Sequence, residues 1–168
     1  IGTSSVIKMS RNLGIKSRME NNLSIGLGSS GVTLQELVSA YSAFANHGIK
    51  VESKGIRYVE NRNGKILFRE NQNKTQPISN GIASMVTSLL QSVVKEGTAK
   101  KVRVLGRSTA GKTGTTNNYI DAWFLGYTPK LLTGVWVGKD DVEPLGKNET
   151  GSRAALPIWL DYMKSALA

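Results

Sequence analysis

The sequence predicts an α+β fold in which helices cover an antiparallel sheet. Three strand patterns, around residues 112–116, at 120–127 and at 131–137, follow one another with short connections, an order that favours an antiparallel meander. Helical patterns precede and follow these strands. With 168 residues, 39% of them hydrophobic, the chain can bury a sizeable core within one domain.

Apolar residues at helical spacing predict four helices. A capping box of Thr33 and Glu36 starts the second helix, and Ser79 caps the third. Pro157 lies in the first turns of the last helix, where proline costs least. The predicted helices cover residues 4–13, 33–48, 79–97 and 152–167.

The segments between these helices predict a peripheral hairpin and several loops. Two strands at residues 49–60 and 65–70 are joined by an Asn-Gly turn, which is typical of a β-hairpin. Residues 16–32 are glycine-rich and residues 98–107 are basic, and both are predicted to be loops. The polar residues 71–76 are predicted to form a linker.

Composition excludes several kinds of site. The chain has no cysteine and only one histidine, His47, so thiolate and histidine metal clusters are ruled out, and no metal or cofactor is predicted. The net charge of +10 and pI near 9.9 predict attraction to polyanions. The cations lack the interleaved aromatic residues of a stacking platform, which argues against nucleic acid as a partner.

Residues 108–116 concentrate a cation, hydroxyls and glycines, and form the candidate site. Thr113 and Thr115 would share one face of an extended strand, so both could donate to one carboxylate, with the Lys112 ammonium nearby. Gly114 would let the strand edge approach a ligand closely. Thr116 adds a further hydroxyl.

The same region also matches the phosphate loop of nucleotide-binding proteins. Residues 106–113 fit G-x-x-x-x-G-K-[ST]. That loop needs a helix directly after it, whereas Gly114 and the β-branched and Asn residues behind it disfavour a helix. A nucleotide-binding domain using Gly106 to Thr113 therefore remains one alternative, and a non-enzymatic basic module that binds an anionic polymer is another.

Several blocks in order carry a resemblance to a known family. These blocks are L-G-S-S-G-V-T (27–33), A-Y-S-A-F-A-N (40–46), E-G-T-A (96–99), K-T-G-T-T (112–116), D-A-W-F (121–124), G-Y-T-P (126–129), V-W-V-G (135–138) and P-I-W (157–159). Together they resemble the C-terminal part of the transpeptidase domain of class A (bifunctional) penicillin-binding proteins, over nearly the whole chain.

The resemblance implies a serine-type peptidoglycan D,D-transpeptidase, of which this chain holds one of three motifs. The family uses S-x-x-K, S-x-N and K-T-G, and a serine that forms an acyl-enzyme. Matches at residues 5–8, 10–12 and 92–95 are attributed to chance, because their places in the chain do not fit the family order. Residues 1–168 are thus expected to be the C-terminal portion of one transpeptidase domain, inactive alone, with the nucleophile upstream of Ile1.

The resemblance also implies roles for the candidate residues. Lys112 would attract the substrate carboxylate and influence proton transfer, and Thr113 and Thr115 would bind that carboxylate. The Thr115 N–H would be the second oxyanion-hole donor. Gly114 and Thr116 complete the predicted substrate-binding set. Asp121, Trp123 and Trp136 are predicted to be structural.

The expected partners follow from the same family. They are peptidoglycan stem peptides, β-lactams as inhibitors and the upstream half of the same protein. The complete protein is expected to act in the periplasm, or otherwise outside the cytoplasm, and to be anchored in the bacterial inner membrane. No run in this chain approaches the ~18 apolar residues of a membrane helix.

Overall fold

The computed structural model of the protein describes residues 1–71 and 73–168 and confirms the predicted α+β class. In chain order, its regular elements are α1 (Thr3–Asn12), α2 (Leu34–Ala45), β1 (Lys50–Val51), β2 (Tyr58–Glu60), β3 (Ile66–Arg69), β4 (Lys74–Thr75), α3 (Asn80–Lys95), β5 (Ala110–Thr115), β6 (Ala122–Tyr127), β7 (Leu132–Val137) and α4 (Leu156–Ala166). Among the described residues, no helix combines the length and apolarity needed to cross a membrane.

The predicted meander is present as a three-stranded antiparallel sheet in the order β5-β6-β7. Gly114 lies opposite Trp123, and Trp123 lies opposite Trp136. Lys112 lies opposite Leu125. Because side chains alternate between the two faces of a strand, this register decides which residues face each layer of helices.

Helices α2 and α4 pack against opposite faces of this sheet. On the α2 face, Gly134 lies so close to Leu34 and Val38 that a Cβ there would meet the Val38 Cγ2 atom at 2.7 Å. On the α4 face, the fully buried Phe124 and Trp159 form an edge-to-face pair with ring centroids 5.0 Å apart. The main core therefore lies between the sheet and α4, with α3 at its margin.

Two neighbouring glycines make a slot in the sheet for these aromatic rings. Gly111 lies directly opposite Gly126 on the paired strand. A Cβ on Gly111 would lie 2.8 Å from Phe124 Cζ, and a Cβ on Gly126 would lie 2.8 Å from Trp159 Cζ2. The indole N–H of Trp159 donates to the Thr133 carbonyl at 3.0 Å. The absence of a side chain at Gly126 thus sets how closely α4 approaches the sheet, and its absence at Gly111 leaves room for the Phe124 ring.

The predicted helix starts are confirmed for α2 and α3. The Thr33 hydroxyl accepts from the Glu36 N–H, and the Glu36 carboxylate accepts from the Thr33 N–H, which completes the capping box. The Ser79 hydroxyl accepts from the Ile82 N–H at 3.3 Å. Both caps satisfy backbone donors that the first turn of a helix leaves unpaired.

The predicted strand at 49–60 is wrong as a single element. It divides into β1 and β2, and β1 pairs with β4, which lies in the segment predicted to be a linker. This ladder joins residues about 25 apart through backbone hydrogen bonds, so side-chain patterning gave no sign of it. Residue 72 of that predicted linker lies outside the described residues.

Three further segments are more ordered than predicted. The predicted glycine-rich loop at 16–32 contains a 3-10 helix at Leu23–Leu27, capped by the Asn22 side chain. The predicted basic loop contains a 3-10 helix at Lys100–Leu105, which buries Val102 completely against the main core. The last helix begins with a π-helical turn at Gly151–Ala155 before α4. The last two segments are fixed by a buried apolar side chain or a close backbone contact, which are tertiary effects.

The predicted hairpin is confirmed in β2 and β3, which pair with each other alone among the described strands. Its turn places Gly64 at φ 77°, a conformation that favours glycine. The Asn61 side chain accepts from the N–H groups of Asn63 and Lys65. All residues of both strands are exposed, so the hairpin lies at the periphery of the domain, as predicted.

Replacing Trp159 by alanine tests the aromatic contact that packs α4 against the sheet. The variant removes a fully buried indole and its hydrogen bond, and we expect the free energy of unfolding to fall by about 3–5 kcal/mol in urea denaturation. Tyr162→Ala on the same helix is the control, because Tyr162 is 53% exposed. Equal losses for the two variants would contradict this account of the core.

Candidate active site

The predicted site residues lie together on a groove at the edge of the sheet. Among the described strands, β5 pairs only with β6, so its other edge carries no strand. Lys112, Thr113, Gly114, Thr115 and Thr116 all line this groove, which has a volume of about 700 Å³. The opposite wall consists of the loop at residues 27–33 and the first turns of α2.

The backbone of β5 turns two N–H groups toward the open edge. The Thr116 N–H donates to the Asp121 carbonyl at 3.1 Å, so this position is a hydrogen-bonded pair with the β6 side. Along an antiparallel ladder, hydrogen-bonded pairs alternate with pairs whose N–H and C=O groups point away from the partner strand. The N–H groups of Thr113 and Thr115 therefore point away from β6, where a ligand at the edge can accept from them.

Lys112 places a positive charge beside this edge. Its side chain is exposed, and its ammonium donates to the Thr113 carbonyl at 2.7 Å. None of the ion pairs found among the described residues involves Lys112. The charge is therefore not neutralised by a paired carboxylate of this part of the chain, and it can attract an anion entering the groove.

The three threonine hydroxyls have different surroundings. The Thr113 hydroxyl lies 2.8 Å from the Thr98 hydroxyl, and the Thr115 hydroxyl accepts from the Gly151 N–H at 3.1 Å. Thr115 therefore keeps its own proton available for donation. The Thr116 hydroxyl accepts from the Asp121 N–H at 2.7 Å, so it closes the turn between β5 and β6.

Asp121, Trp123 and Trp136 have a structural role and also line the groove. The Trp136 indole donates to the Asp121 carboxylate at 2.7 Å, and the two tryptophan rings lie 6.2 Å apart. The sequence prediction named only the structural role. The missing signal was the register, because both tryptophans lie in one cross-strand row with Gly114.

The carboxylate of Glu36 anchors the wall opposite Lys112. It accepts from the N–H groups of Lys16 and Ser17 at 2.7 and 2.8 Å, and from the Ser17 hydroxyl at 2.5 Å. Desolvation raises its pKa, but these bonds and the bond from Thr33 outweigh that effect and lower the pKa from 4.5 to about 2. One carboxylate thus holds residues 16 and 17 of the preceding segment against the start of α2.

Tyr41 contributes an aromatic ring to the groove from α2. Burial, and to a lesser extent the nearby Tyr127, raise the pKa of its phenol to about 12. The ring packs edge-on against Phe44 at 5.5 Å. Tyr41 is therefore a neutral, largely apolar part of the wall at physiological pH.

The π-helical turn at Gly151–Ala155 supports β5, the K-T-G strand, from the α4 face. A Cβ on Gly151 would lie 2.5 Å from the Gly114 carbonyl oxygen and 2.3 Å from the Trp123 carbonyl oxygen. Both obstacles are backbone atoms and cannot rotate away. Glycine at position 151 is therefore needed for the turn to approach β5 closely enough for its N–H to reach Thr115.

The nucleotide-binding alternative lacks the geometry that it requires. Lys112 and Thr113 lie inside β5 instead of a loop, and the next element is the short 3-10 turn Asn117–Tyr119. The S-x-x-K and S-x-N matches also lie elsewhere, because Ser5, Ser10 and Ser92 are not among the described residues that line the groove.

Comparisons with known proteins agree with this geometry. A family model described as the penicillin binding protein transpeptidase domain matches residues 5–164. Penicillin-binding protein 1A of Aquifex aeolicus is 39% identical over 164 residues, which cover 98% of this chain and 22% of that protein. The same-named protein of Rickettsia prowazekii is 33% identical over 192 residues, covering 99% of this chain and 24% of that protein.

Solved structures show the same fold. Penicillin-binding protein 1A from Haemophilus influenzae superposes with a TM-score of 0.91 at 27% identity, covering 99% of this chain and 31% of that one. PonA1 from Mycobacterium tuberculosis, in complex with penicillin V, gives a TM-score of 0.83 at 28% identity, covering 98% of this chain and 50% of that one. The chain spans about a quarter of the length of the curated relatives it matches.

Glu36→Gln tests the anchor of the groove wall. Because the folded pKa of Glu36 is lowered to about 2, the ionised carboxylate stabilises the fold above its unfolded pKa, and this contribution is lost as pH falls through about 2. We expect a lower Tm than wild type at pH 7 and a difference that shrinks between pH 4.5 and 2. Glu60→Gln, at an exposed residue of β2, should leave Tm nearly unchanged throughout.

Gly151→Ala tests the support beneath the K-T-G strand. The added methyl would collide with two carbonyl groups, so we expect a loss of about 1–3 kcal/mol in the free energy of unfolding, measured in urea. Gly55→Ala is the matched control, because a Cβ there meets nothing within 4 Å. If Gly151→Ala leaves the free energy of unfolding unchanged, the turn does not pack closely against β5.

Proposed function

The chain belongs to the penicillin-binding protein transpeptidase domain family, and we propose that it forms the K-T-G wall of a peptidoglycan D,D-transpeptidase site. The observation that carries this proposal is the open edge of β5, which presents an ammonium, hydroxyls and outward backbone N–H groups to one groove. These groups suit a peptide that ends in a carboxylate and contains a reactive carbonyl.

The carboxylate of the terminal D-Ala binds at Lys112, Thr113 and Thr115. The lysine supplies charge, and each hydroxyl can donate one hydrogen bond. The exposure of Lys112 leaves room for it to turn from the Thr113 carbonyl to the ligand. A β-lactam carboxylate occupies the same position. The hydroxyl of Thr116 closes the strand turn, so we assign Thr116 a smaller part in binding.

The N–H of Thr115 acts as one oxyanion-hole donor. It points to the open edge, one residue beyond Gly114, where the strand carries no side chain. A carbonyl that lies along the edge can accept from this N–H as its oxygen becomes negative. Loss of such a donor costs about 3–4 kcal/mol of barrier in other enzymes, so the direction of this N–H matters for catalysis.

The nucleophilic serine, its lysine and the S-x-N motif come from a part of the protein outside residues 1–168. This agrees with the positions of the serines at 5, 10 and 92, which do not line the groove in the described structure. The serine oxygen attacks the carbonyl of the penultimate D-Ala, the terminal D-Ala leaves, and an amine of a neighbouring stem then displaces the serine. Residues 1–168 alone form no acyl-enzyme.

The complete protein acts outside the cytoplasm, anchored in the inner membrane, on peptidoglycan stem peptides. Support comes from the family and from relatives named penicillin-binding protein 1A. A structural neighbour was solved in complex with penicillin V, which supports β-lactams as inhibitors. The partner within the protein is the part that holds the nucleophile.

Intact mass after incubation with excess benzylpenicillin tests the proposal. We expect a covalent adduct on the nucleophile-containing protein and none on residues 1–168 alone. An adduct on residues 1–168 would place the nucleophile in this chain and direct attention to Ser5 and Ser10. If neither form gains mass, the transpeptidase proposal fails.

Lys112→Ala tests the charge at the groove in the nucleophile-containing protein. Loss of the ammonium weakens carboxylate binding and proton transfer, so we expect the second-order rate constant of acylation by benzylpenicillin to fall roughly hundredfold. Lys130→Ala is the control, because Lys130 is exposed in the connection between β6 and β7. Equal rates for Lys112→Ala and wild type would remove Lys112 from the mechanism.

A further inference from the structure

Thr98 lies beside the K-T-G strand, outside the residues assigned to the site. Its hydroxyl oxygen is 2.8 Å from that of Thr113, a normal distance for a hydrogen bond. Thr98 comes from the E-G-T-A segment that follows α3, fifteen residues before Thr113 in the chain. We propose that Thr98 is a positioning residue that aims the Thr113 hydroxyl at the substrate carboxylate, an inference that rests on the proposed function.

The backbone around Thr98 is firmly held. The Gly97 N–H donates to the Ser92 and Val93 carbonyls at 3.2 and 3.1 Å, and the Ala99 N–H donates to the Val93 carbonyl at 3.2 Å. Ala99 is completely buried. A Cβ on Gly97 would lie 2.8 Å from the Val93 carbonyl oxygen, so only glycine allows this tight turn. The Cα–Cβ bond of Thr98, which is exposed, therefore leaves the turn in a fixed direction.

The number of protons fixes the direction of the hydrogen bond when a carboxylate is bound. A threonine hydroxyl has one proton to donate, and a carboxylate can only accept. When Thr113 donates to the carboxylate, it has no proton left for Thr98. Thr98 must then donate to the Thr113 oxygen, which produces a chain from Thr98 through Thr113 to the ligand.

This chain has two consequences for binding. The bond from Thr98 polarises the Thr113 hydroxyl and strengthens its bond to the anion. It also removes the Thr98 oxygen as a competing acceptor for the Thr113 proton. The effect is largest for ligands with a carboxylate, because a carboxylate can only accept, whereas an amide in its place can donate its own N–H to the Thr113 oxygen.

Thr98→Val in the nucleophile-containing protein tests the proposal, because valine keeps the shape of threonine without its hydroxyl. The probes are benzylpenicillin and its neutral amide, in which the carboxylate is masked. We expect the rate constant of acylation to fall roughly three- to tenfold with benzylpenicillin, the range for one hydrogen bond, and to stay within about twofold with the amide. Thr98→Ser restores the hydroxyl and should restore the rate.

Ser92→Ala is the matched control, because its hydroxyl donates to the Ser88 carbonyl within α3 at 3.2 Å. It should leave both rates unchanged. Equal slowing of both ligands by Thr98→Val would make Thr98 a structural residue and overturn the inference, as would an unchanged rate with benzylpenicillin. If unsubstituted protein forms no adduct, the proposed function itself fails, and that result is separate from either outcome for Thr98.

Discussion

The antiparallel pairing of β5 with β6 is the interaction on which the rest of the site depends. Its register places Lys112 on one face of the strand and Thr113 and Thr115 on the other. The alternation of the ladder turns the N–H groups of both threonines to the edge without a strand partner. A slip of one residue would exchange the two faces and turn these donors toward β6. The chemistry of the groove is therefore a consequence of strand pairing.

The two walls of the groove are held by different kinds of contact. The β5 wall rests on close backbone packing, because Gly151 lies against the carbonyl of Gly114 and donates to the Thr115 hydroxyl. The opposite wall rests on charge-assisted hydrogen bonds, since Glu36 gathers donors from Lys16, Ser17 and Thr33. Packing is insensitive to pH and salt, whereas the carboxylate responds to pH. The two sides of the site therefore differ in what can loosen them.

The sheet and the main helices were predictable because local signals specify them. Apolar spacing, the capping box at Thr33 and the cap at Ser79 all act within a few residues. The grouping of Lys112, Thr113 and Thr115 on one strand followed from the same local reasoning. Their assignment to a transpeptidase came from family blocks, because spacing alone left the nucleotide-binding alternative open.

The contacts that complete the site were not predictable from local patterns. The bond between Thr98 and Thr113 joins two segments that only the packing of α3 against β5 brings together. The contact of Trp136 with Asp121 depends on hairpin register, and the β1 and β4 ladder depends on a return of the chain after about 25 residues. Each is a tertiary contact between residues whose own sequence neighbourhoods carry no mark of it.

The paired glycines in the sheet limit how this domain can vary. Gly111 and Gly126 form one slot, and the rings of Phe124 and Trp159 fill it from the sheet and from α4. A larger residue at Gly126 fits only if a ring becomes smaller, and a smaller ring leaves a cavity unless Gly126 gains bulk. A Cβ at Gly111 would also lie 2.9 Å from the Leu125 carbonyl oxygen, a backbone atom that a smaller ring does not move. Substitutions at Gly126, Phe124 and Trp159 should therefore be non-additive. Among related sequences, these three should change together or stay fixed together, while Gly111 should stay fixed.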